Sequence, residues 1–190
     1  QANDSRRSRA QRAVDFGFDY LSKTQRDDGS WWPLWFGNQH SHNDENPTYG
    51  TARVLAAYRD TGRIGFDSAQ RGLEALRKSQ NVDGGWGGAP GVESSVEETA
   101  LATEILVSVE SDCSSATRGL EWLLNRVENG SIAETTPIGF YFAKLGYFER
   151  LYPLIFTTSA LRAACRLSDL FAAEDDRHHQ ETMQQQTVSD

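Results

Sequence analysis

The sequence predicts an all-α protein built from repeated helical hairpins, and three observations support this prediction. Residues 13–31 and 71–86 are built alike, 55 residues apart. A third, partial copy of the same pattern follows at 118–132. Between the copies lie alanine-rich, apolar segments with helical composition. Internal similarity at this period is typical of helical arrays, in which each unit buries its apolar face against its neighbours.

Each of the two full copies ends with the same short sequence motif, which we call the closing device. A Leu is followed by a Gln four residues on, a Gly eight residues on and a Trp ten residues on. We expect the helix to end near the Gln and the Asp-Gly pair to supply the turn, with glycine at a positive φ. The Gln amide can then bond open backbone groups of a neighbouring helix end, and the Trp can pack between repeats. The residues of the device are Gln25, Gly29 and Trp31 in the first copy, and Gln80, Gly84 and Trp86 in the second.

The third copy is degenerate. Residues 118–123 repeat the RGLExL pattern of 71–76. Val127 then stands where Gln is expected, and 130–132 reads Gly-Ser-Ile in place of Gly-x-Trp. The array therefore decays toward its C-terminal end.

Six helices in three hairpins follow from the hydrophobic pattern in chain order. The first helix of each hairpin carries the repeat and more charge, which predicts an outer layer, and the second is rich in small apolar residues, which predicts an inner layer. The outer helices are predicted at 9–25, 66–80 and 115–127, and the inner helices at 48–61, 95–109 and 149–171. Alternating layers predict an α/α toroid, and three hairpins make half of a six-hairpin α6/α6 ring. We expect residues 1–9 to form a flexible, solvated arm, 10–171 to form the toroid segment, and 174–190 to be a disordered polar tail.

Composition excludes several classes of function. A net charge of −8 and a pI near 5.0 argue against a nucleic-acid partner. The two cysteines, Cys113 and Cys165, fit neither a disulfide scaffold nor a zinc knuckle, and we expect them to be reduced, as in a cytoplasmic protein. No apolar run reaches the length of a membrane span. Because the chain begins at Gln1 without Met, we expect it to be part of a longer or processed protein.

Two segments are unusually aromatic, and both connect an outer helix to an inner one. The first, residues 31–50, holds three Trp and a Phe before it becomes polar, and the second is residues 139–153. Connections at one end of a toroid line its mouth, where binding groups concentrate. The two segments are therefore predicted to face one cavity.

The chain resembles the C-terminal part of the squalene–hopene cyclase family of triterpene cyclases. The closing device matches the QW repeat of that family. The ordered resemblance covers roughly residues 10–165 and includes the runs GSWWPLWFGN, YGTARVLAAY, DGGWGG, SSVEETALA and FERLYPLIFTTSALRA. It implies an enzyme that folds a linear C30 polyene in an apolar cavity and cyclises it through carbocations.

The resemblance also implies site residues and partners. A strong acid begins the reaction, and aromatic faces stabilise cationic intermediates without offering a nucleophile. It implies no cofactor and no metal, a squalene-like substrate, in plain or oxidised form, and peripheral contact of the full-length protein with membranes. Trp31 and Trp86 are assigned to packing between repeats. The residues that the resemblance assigns to the substrate cavity are Trp35, Tyr49, Phe140, Tyr141, Phe148 and Tyr152.

One departure from the family is decisive for activity. The family carries its acid in an Asp-x-Asp-Asp motif, and that motif is absent from these 190 residues. The nearest substitute, Glu97-Glu98, follows Ser95 in a Ser-x-x-Glu capping box, which predicts a structural role. We therefore expect no catalytic residue in this chain, which would be inactive alone. The missing half of the toroid would come from a longer chain or from a second copy.

Three alternatives stay open from the sequence. The first is a non-catalytic half-toroid that serves as a binding or scaffold module. The second, more distant, is a relative of protein prenyltransferase β-subunits, although neither cysteine has the Asp and His partners that their zinc site needs. The third concerns His40 and His42, which with two nearby carboxylates are chemically adequate for zinc, although a polar surface loop is the commoner outcome.

Overall fold

The computed structural model describes residues 2–109, 113–140 and 145–166, with six α-helices in that part of the chain. The outer helices are α1 (Ala2–Thr24), α3 (Asp67–Lys78) and α5 (Ser114–Glu128). The inner helices are α2 (Pro47–Asp60), α4 (Val96–Val109) and α6 (152–166). A short 3-10 helix spans His42–Asp44. The six predicted helices are present, although the sixth begins at 152 rather than 149; residues 167–171 of its predicted range and the predicted polar tail, 174–190, lie outside the described residues.

Burial separates the two layers as the composition predicts. Helix α4 is buried along most of its length, because α2 packs on one side and α5 and α6 pack on the other. Helix α3 instead buries one stripe, including Leu73 and Leu76, and exposes its charged face. Two clusters form the core, one around Trp31, Trp86 and α2, and a smaller one around Trp122 where α6 meets α5.

The predicted beginning of the first helix is wrong. The sequence predicts irregular structure in residues 1–9, whereas α1 already begins at Ala2. Residues 4–17 are all exposed, so no tertiary packing marks where the helix starts. Ala2, Arg6 and Arg7 have good helix propensity, and these turns continue a helix that is already formed from residue 9. The flexibility of this arm stays a prediction.

The main element that the sequence does not predict is a small antiparallel sheet. Its strands are β1 (Gly37–Asn38), β2 (Pro137–Phe140) and β3 (Leu145–Phe148), in the order β1-β2-β3. Gly37 is paired with Gly139, and Pro137 with Phe148. Strands of two to four residues are too short to produce a readable alternation of polar and apolar residues. The sheet is built from the two aromatic segments and the two residues that precede the second one, Pro137 and Ile138.

The Gln of the closing device joins consecutive repeats. The Gln25 amide donates to the Gly29 carbonyl at 2.8 Å and to the Ser68 carbonyl, in the first turn of α3, at 2.7 Å. Gln80 repeats this arrangement with Gly84 at 2.8 Å and with Ser115, in the first turn of α5, at 2.9 Å. The predicted bond from Gln to a neighbouring helix end is therefore confirmed in both copies.

The Trp of the device contacts both the helix that precedes it and the next outer helix. The Trp31 indole donates to the Leu21 carbonyl at 2.7 Å, and the Trp86 indole donates to the Leu76 carbonyl at 2.8 Å. These carbonyls belong to last turns, where the helix lacks its full set of intrahelical amide donors. The rings then lie over glycines of the following outer helix: a β-carbon on Gly72 would come within 2.6 Å of Trp31. A β-carbon on Gly119 would likewise come within 2.7 Å of the Trp86 ring.

The arginine before that glycine completes the connection. Arg71 donates to the Arg26 carbonyl, and Arg118 donates to the Asn81 and Val82 carbonyls, all at 2.8–2.9 Å. Each arginine thus binds the turn of the preceding repeat. The Arg-Gly pair of the outer helix is the complement of the Gln-Gly-Trp device before it.

The turn glycines are forced by close approach of the next repeat. Gly29 has φ 87° and Gly84 has φ 94°, as the sequence predicts. A β-carbon on Gly29 would lie 2.5 Å from the Arg71 carbonyl oxygen. A residue with a side chain would therefore be strained by its backbone and would also collide with the next helix.

We predict opposite effects for two glycine-to-alanine substitutions within helices. Gly119→Ala should lower the free energy of unfolding by about 1–3 kcal/mol, because the new methyl group overlaps Trp86 and Thr103. A β-carbon on Gly17 meets no atom within 4 Å, so Gly17→Ala should raise the free energy of unfolding by about 0.5–1 kcal/mol through helix propensity. Urea denaturation followed by far-UV circular dichroism measures both, and equal effects would contradict the packing described here.

We also predict that Gln80→Leu lowers the free energy of unfolding by about 1–3 kcal/mol, because two partly buried carbonyls lose their donor. Gln70→Leu is the matched control, since its single bond to the Ile64 carbonyl lies on the exposed surface. The same urea titration should show a change below about 0.5 kcal/mol for the control. A similar loss for both variants would mean that Gln80 does not join the repeats.

Candidate aromatic site

The sheet brings the two aromatic segments together at one end of the helical array. Trp35 and Phe36 directly precede β1, and β1 pairs with β2, whose hairpin partner β3 ends at Phe148. The approach is tight, because a β-carbon on Gly146 would overlap the Gln39 side chain. This pairing shows that the two segments are adjacent, whereas a cavity shared between them stays a prediction.

Tyr49 lies in the first turn of α2, next to the sheet. Asn46 precedes the helix and accepts a hydrogen bond from the Tyr49 backbone amide at 3.0 Å, and Pro47 follows it at the first helical position. The Tyr49 ring stacks on Phe36, with centroids 4.7 Å apart and planes 20° from parallel. Burial raises the pKa of Tyr49, the nearby phenols of Tyr147 and Tyr152 raise it further, and Arg53 opposes the shift.

Tyr152 begins α6 on the other side of the site. Its ring lies 5.2 Å from that of Phe156. Burial raises the pKa of Tyr152, and Tyr147, which hydrogen-bonds its side chain, and Glu149 raise it further. The phenols of Tyr49, Tyr147 and Tyr152 therefore lie near one another, contributed by α2, β3 and α6.

The candidate residues differ in exposure. Trp35 is 54% exposed and Phe148 is 63% exposed, whereas Tyr49 and Tyr152 are half-buried. Leu34, Leu151 and Ile155 add further exposed apolar area beside them in sequence. Tyr141 and the side chain of Phe140 lie outside the described residues. We call Trp35, Tyr49, Phe148 and Tyr152 the aromatic wall.

Two buried glutamates lie at the beginning of α4, behind the sheet. Glu97 and Glu98 are each only 2% exposed. Glu97 accepts hydrogen bonds from the Thr136 amide at 2.9 Å and from its hydroxyl at 2.8 Å. Glu98 accepts from the side-chain amides of Asn38 at 3.1 Å and Asn46 at 2.7 Å. The Ser-x-x-Glu pattern signalled these residues in the sequence, but not their contacts with the aromatic segments.

The capping box predicted at Ser95 forms only in part. The Ser95 hydroxyl accepts from the Glu98 backbone amide at 3.2 Å, as a cap should. The Glu98 carboxylate does not return to the Ser95 amide, because that amide donates to the Trp86 carbonyl at 2.9 Å. The carboxylate instead accepts from the Ser95 hydroxyl and from the two asparagines.

The proposed zinc ligands do not come together. His40 and His42 are both exposed. In the described part of the chain, no group of three or more His, Cys, Asp or Glu side chains is arranged to hold a metal ion. Cys113 is half-buried and Cys165 is exposed. Among the same residues, no helix combines the length and the apolar character needed to cross a membrane.

We predict that Glu97 makes stability fall as pH rises. Burial, reinforced by the adjacent Glu98, raises the pKa of Glu97 above its ordinary value of 4.5, so the folded state binds more protons than the unfolded state above that pH. The free energy of unfolding should therefore decrease as pH rises from 4.5 toward the raised pKa, and Glu97→Gln should remove this decrease. Urea midpoints measured between pH 4.5 and 7.5 test this.

Glu74→Gln is the control of opposite sign, and it requires that the urea midpoints also be measured below pH 4.5. Arg77 and Lys78 lower the pKa of Glu74, so its contribution to stability is present above pH 4.5 and is lost as pH falls through the lowered pKa. Identical pH profiles for Glu97→Gln and the wild-type chain would show that Glu97 does not titrate differently in the two states.

Comparison with known families identifies most of the chain. Residues 2–166 match the family described as squalene-hopene cyclase C-terminal domain. The chain is 30% identical over 156 residues to squalene–hopene cyclase of Zymomonas mobilis, covering 72% of this chain and 22% of that protein. It is 29% identical over 162 residues to probable squalene–hopene cyclase of Sinorhizobium fredii, covering 75% and 24%. The chain thus spans about a quarter of the length of these relatives.

Two further matches extend this comparison. Enfumafungin synthase of Hormonema carpetanum is 31% identical over 133 residues, which are 63% of this chain and 10% of that protein. Among solved structures, ent-copalyl diphosphate synthase from Streptomyces platensis superposes with a TM-score of 0.52 at 24% identity, covering 83% of this chain and 29% of that chain. The second match supports the toroid-type helical fold alone.

Proposed function

The chain belongs to the squalene-hopene cyclase C-terminal domain family, and on that premise we propose that it supplies part of the cavity wall of a triterpene cyclase. In this proposal the full protein takes a linear C30 polyene such as squalene, the substrate named for the relatives from Zymomonas mobilis and Sinorhizobium fredii. The aromatic wall is the part of the cavity contributed here. The pairing of β1 with β2 is the observation that carries the proposal, because it joins both aromatic segments.

The chemistry of cationic cyclisation supports this assignment. A carbocation that migrates along a polyene is stabilised by the negative face of an aromatic ring, which has no lone pair to capture it. Exposed rings at Trp35 and Phe148 have area available to a ligand. The phenols of Tyr49 and Tyr152 have raised pKa values and stay neutral at physiological pH. Neutral phenols do not quench a cation as phenolates would.

We propose that the protonating acid comes from outside these 190 residues. The Asp-x-Asp-Asp motif of the family is absent from the sequence. Glu97 and Glu98 are buried behind the sheet, where their oxygens accept hydrogen bonds from Thr136, Asn38 and Asn46. A carboxylic acid in that position has no open path to a substrate double bond. The chain alone is therefore proposed to be inactive toward squalene, with the rest of the ring provided by a longer chain or a partner.

The proposal is tested by expressing the complete reading frame that contains these residues and incubating the protein with squalene in detergent. Cyclised C30 products detected by gas chromatography–mass spectrometry, from a frame that adds an Asp-x-Asp-Asp motif, would support it. Unchanged squalene and oxidosqualene from a folded full-length protein would overturn it. A non-catalytic binding module would then be the better account of the fold.

We predict that Trp35→Ala changes the product pattern of the full-length protein more than its stability. The side chain is half exposed, so the unfolding free energy should change by less than about 1 kcal/mol. Trp86→Ala is the matched control, because this ring is fully buried between repeats and its loss should cost about 3–5 kcal/mol. If Trp35→Ala leaves the product pattern unaltered, Trp35 does not line the cavity.

A further inference from the structure

We infer that Glu97 and Glu98 are positioning residues that hold the two aromatic segments in register, one carboxylate for each segment. Their contacts stand independently of activity, and only their consequence for product control rests on the proposed function. No ligand or proton transfer is assigned to them. Both are nearly inaccessible to solvent, at 2% exposure, and both occupy the first turn of α4.

Glu98 controls the segment from β1 to α2. One of its oxygens, Oε1, accepts from the side-chain amides of both Asn38 and Asn46. With its Nδ2 held in this way, Asn38 directs its Oδ1 to the His40 backbone amide at 2.9 Å, just after β1. Asn46 likewise directs its Oδ1 to the Tyr49 amide and so caps α2. A single carboxylate oxygen thus orients the two asparagines that fix both ends of residues 38–49.

Glu97 controls the second segment. Its two oxygens accept from the amide and the hydroxyl of Thr136, the residue before β2. The next residue, Pro137, accepts from the Gln39 amide at 3.3 Å, which extends the pairing of β1 with β2. Glu97 therefore anchors the start of the hairpin that carries Phe148.

The position of the two glutamates explains how neighbouring residues can serve different segments. Successive residues of an α-helix point about 100° apart, so Glu97 and Glu98 reach different partners from one turn. The first turn of a helix also favours negative charge, which offsets part of the cost of burying two carboxylates. The α4 terminus, fixed in the core by Val96 and Ala100, is thus the common reference for both segments.

Ordinary helix capping does not account for these contacts. The backbone requirement at the start of α4 is met by the Ser95 hydroxyl, which accepts from the Glu98 amide. Apart from the Ser95 hydroxyl, which also donates to Glu98, the two carboxylates accept hydrogen bonds from residues 39 and 52 or more positions away in sequence. These tertiary hydrogen bonds go to the first aromatic segment and to the residue before β2.

Hydrogen–deuterium exchange of the 190-residue chain, read by mass spectrometry of peptic peptides, tests the inference. Glu98→Ala should accelerate exchange in residues 37–49 by about tenfold or more, because a buried network loses its acceptor. Glu97→Ala should do the same in residues 136–140. In both variants exchange in α3 and in α5 should stay within about twofold of the wild-type chain.

Conservative and remote variants make the result specific. Glu98→Gln keeps a carbonyl oxygen for Asn38 and Asn46 and should restore near-normal exchange. Glu104→Ala is the matched control on the same helix, because its partner is Arg59 rather than either aromatic segment. Glu104→Ala should leave hydrogen exchange in residues 37–49 and 136–140 unchanged. If Glu98→Ala does not fold, Asn38→Ala, which removes one of the donors to Glu98, should accelerate exchange after β1 but not at the α2 cap.

Two outcomes overturn the inference. Unchanged exchange in both aromatic segments would show that the carboxylates do not position them. Uniform acceleration across α3, α5 and the segments would show only a loss of global stability. Neither result bears on whether the full-length protein cyclises squalene. The exchange experiment and the squalene assay therefore test this inference and the proposed function separately.

Discussion

The architecture depends on one interaction, the junction that each Gln-Gly-Trp device makes with the Arg-Gly pair of the following outer helix. A helix of 12–15 residues is marginal alone, and these helices gain stability by fixing their ends to one another. The Gln amide, the Trp indole and the Arg guanidinium donate to carbonyls of the turn, of the preceding helix end and of the first turn of the next helix. The glycine opposite each Trp removes the side chain that would keep the repeats apart. Each junction therefore fixes both spacing and rotation between hairpins.

That constraint reaches the aromatic site through the inner helices. The Trp31 and Trp86 amides donate to Thr51 in α2 and Thr99 in α4, at 3.0 and 2.9 Å. The junctions between repeats therefore fix the positions at which the inner helices α2 and α4 begin. The first aromatic segment ends where α2 begins, so the junction also places β1. The third repeat lacks the Gln and the closing Trp, and there the second aromatic segment forms the connection between α5 and α6.

The sequence alone predicted the helices, their layers and the closing device, because periodicity and spacing express these features directly. The predicted bond from Gln to the next helix is present in both copies. The role of Gly72 and Gly119 was missed, since a glycine inside a helix shows its purpose only when the opposing Trp is in place. The sheet was missed because Gly37–Asn38 is too short to form a pattern. Glu98 was interpreted as a helix cap, and local spacing could not reveal its contacts with Asn38 and Asn46. That Trp35, Tyr49, Phe148 and Tyr152 line a cavity stays a prediction.

The most direct test of the central claim, that both aromatic segments form one wall of a polyene site, is photoaffinity labelling. A squalene analogue carrying a diazirine would be irradiated with the full-length protein, and labelled peptides would be mapped by mass spectrometry. The account predicts adducts in both 31–50 and 139–153, suppressed by excess squalene. Adducts confined to one segment, or spread over the exposed face of α1 without competition by squalene, would contradict it.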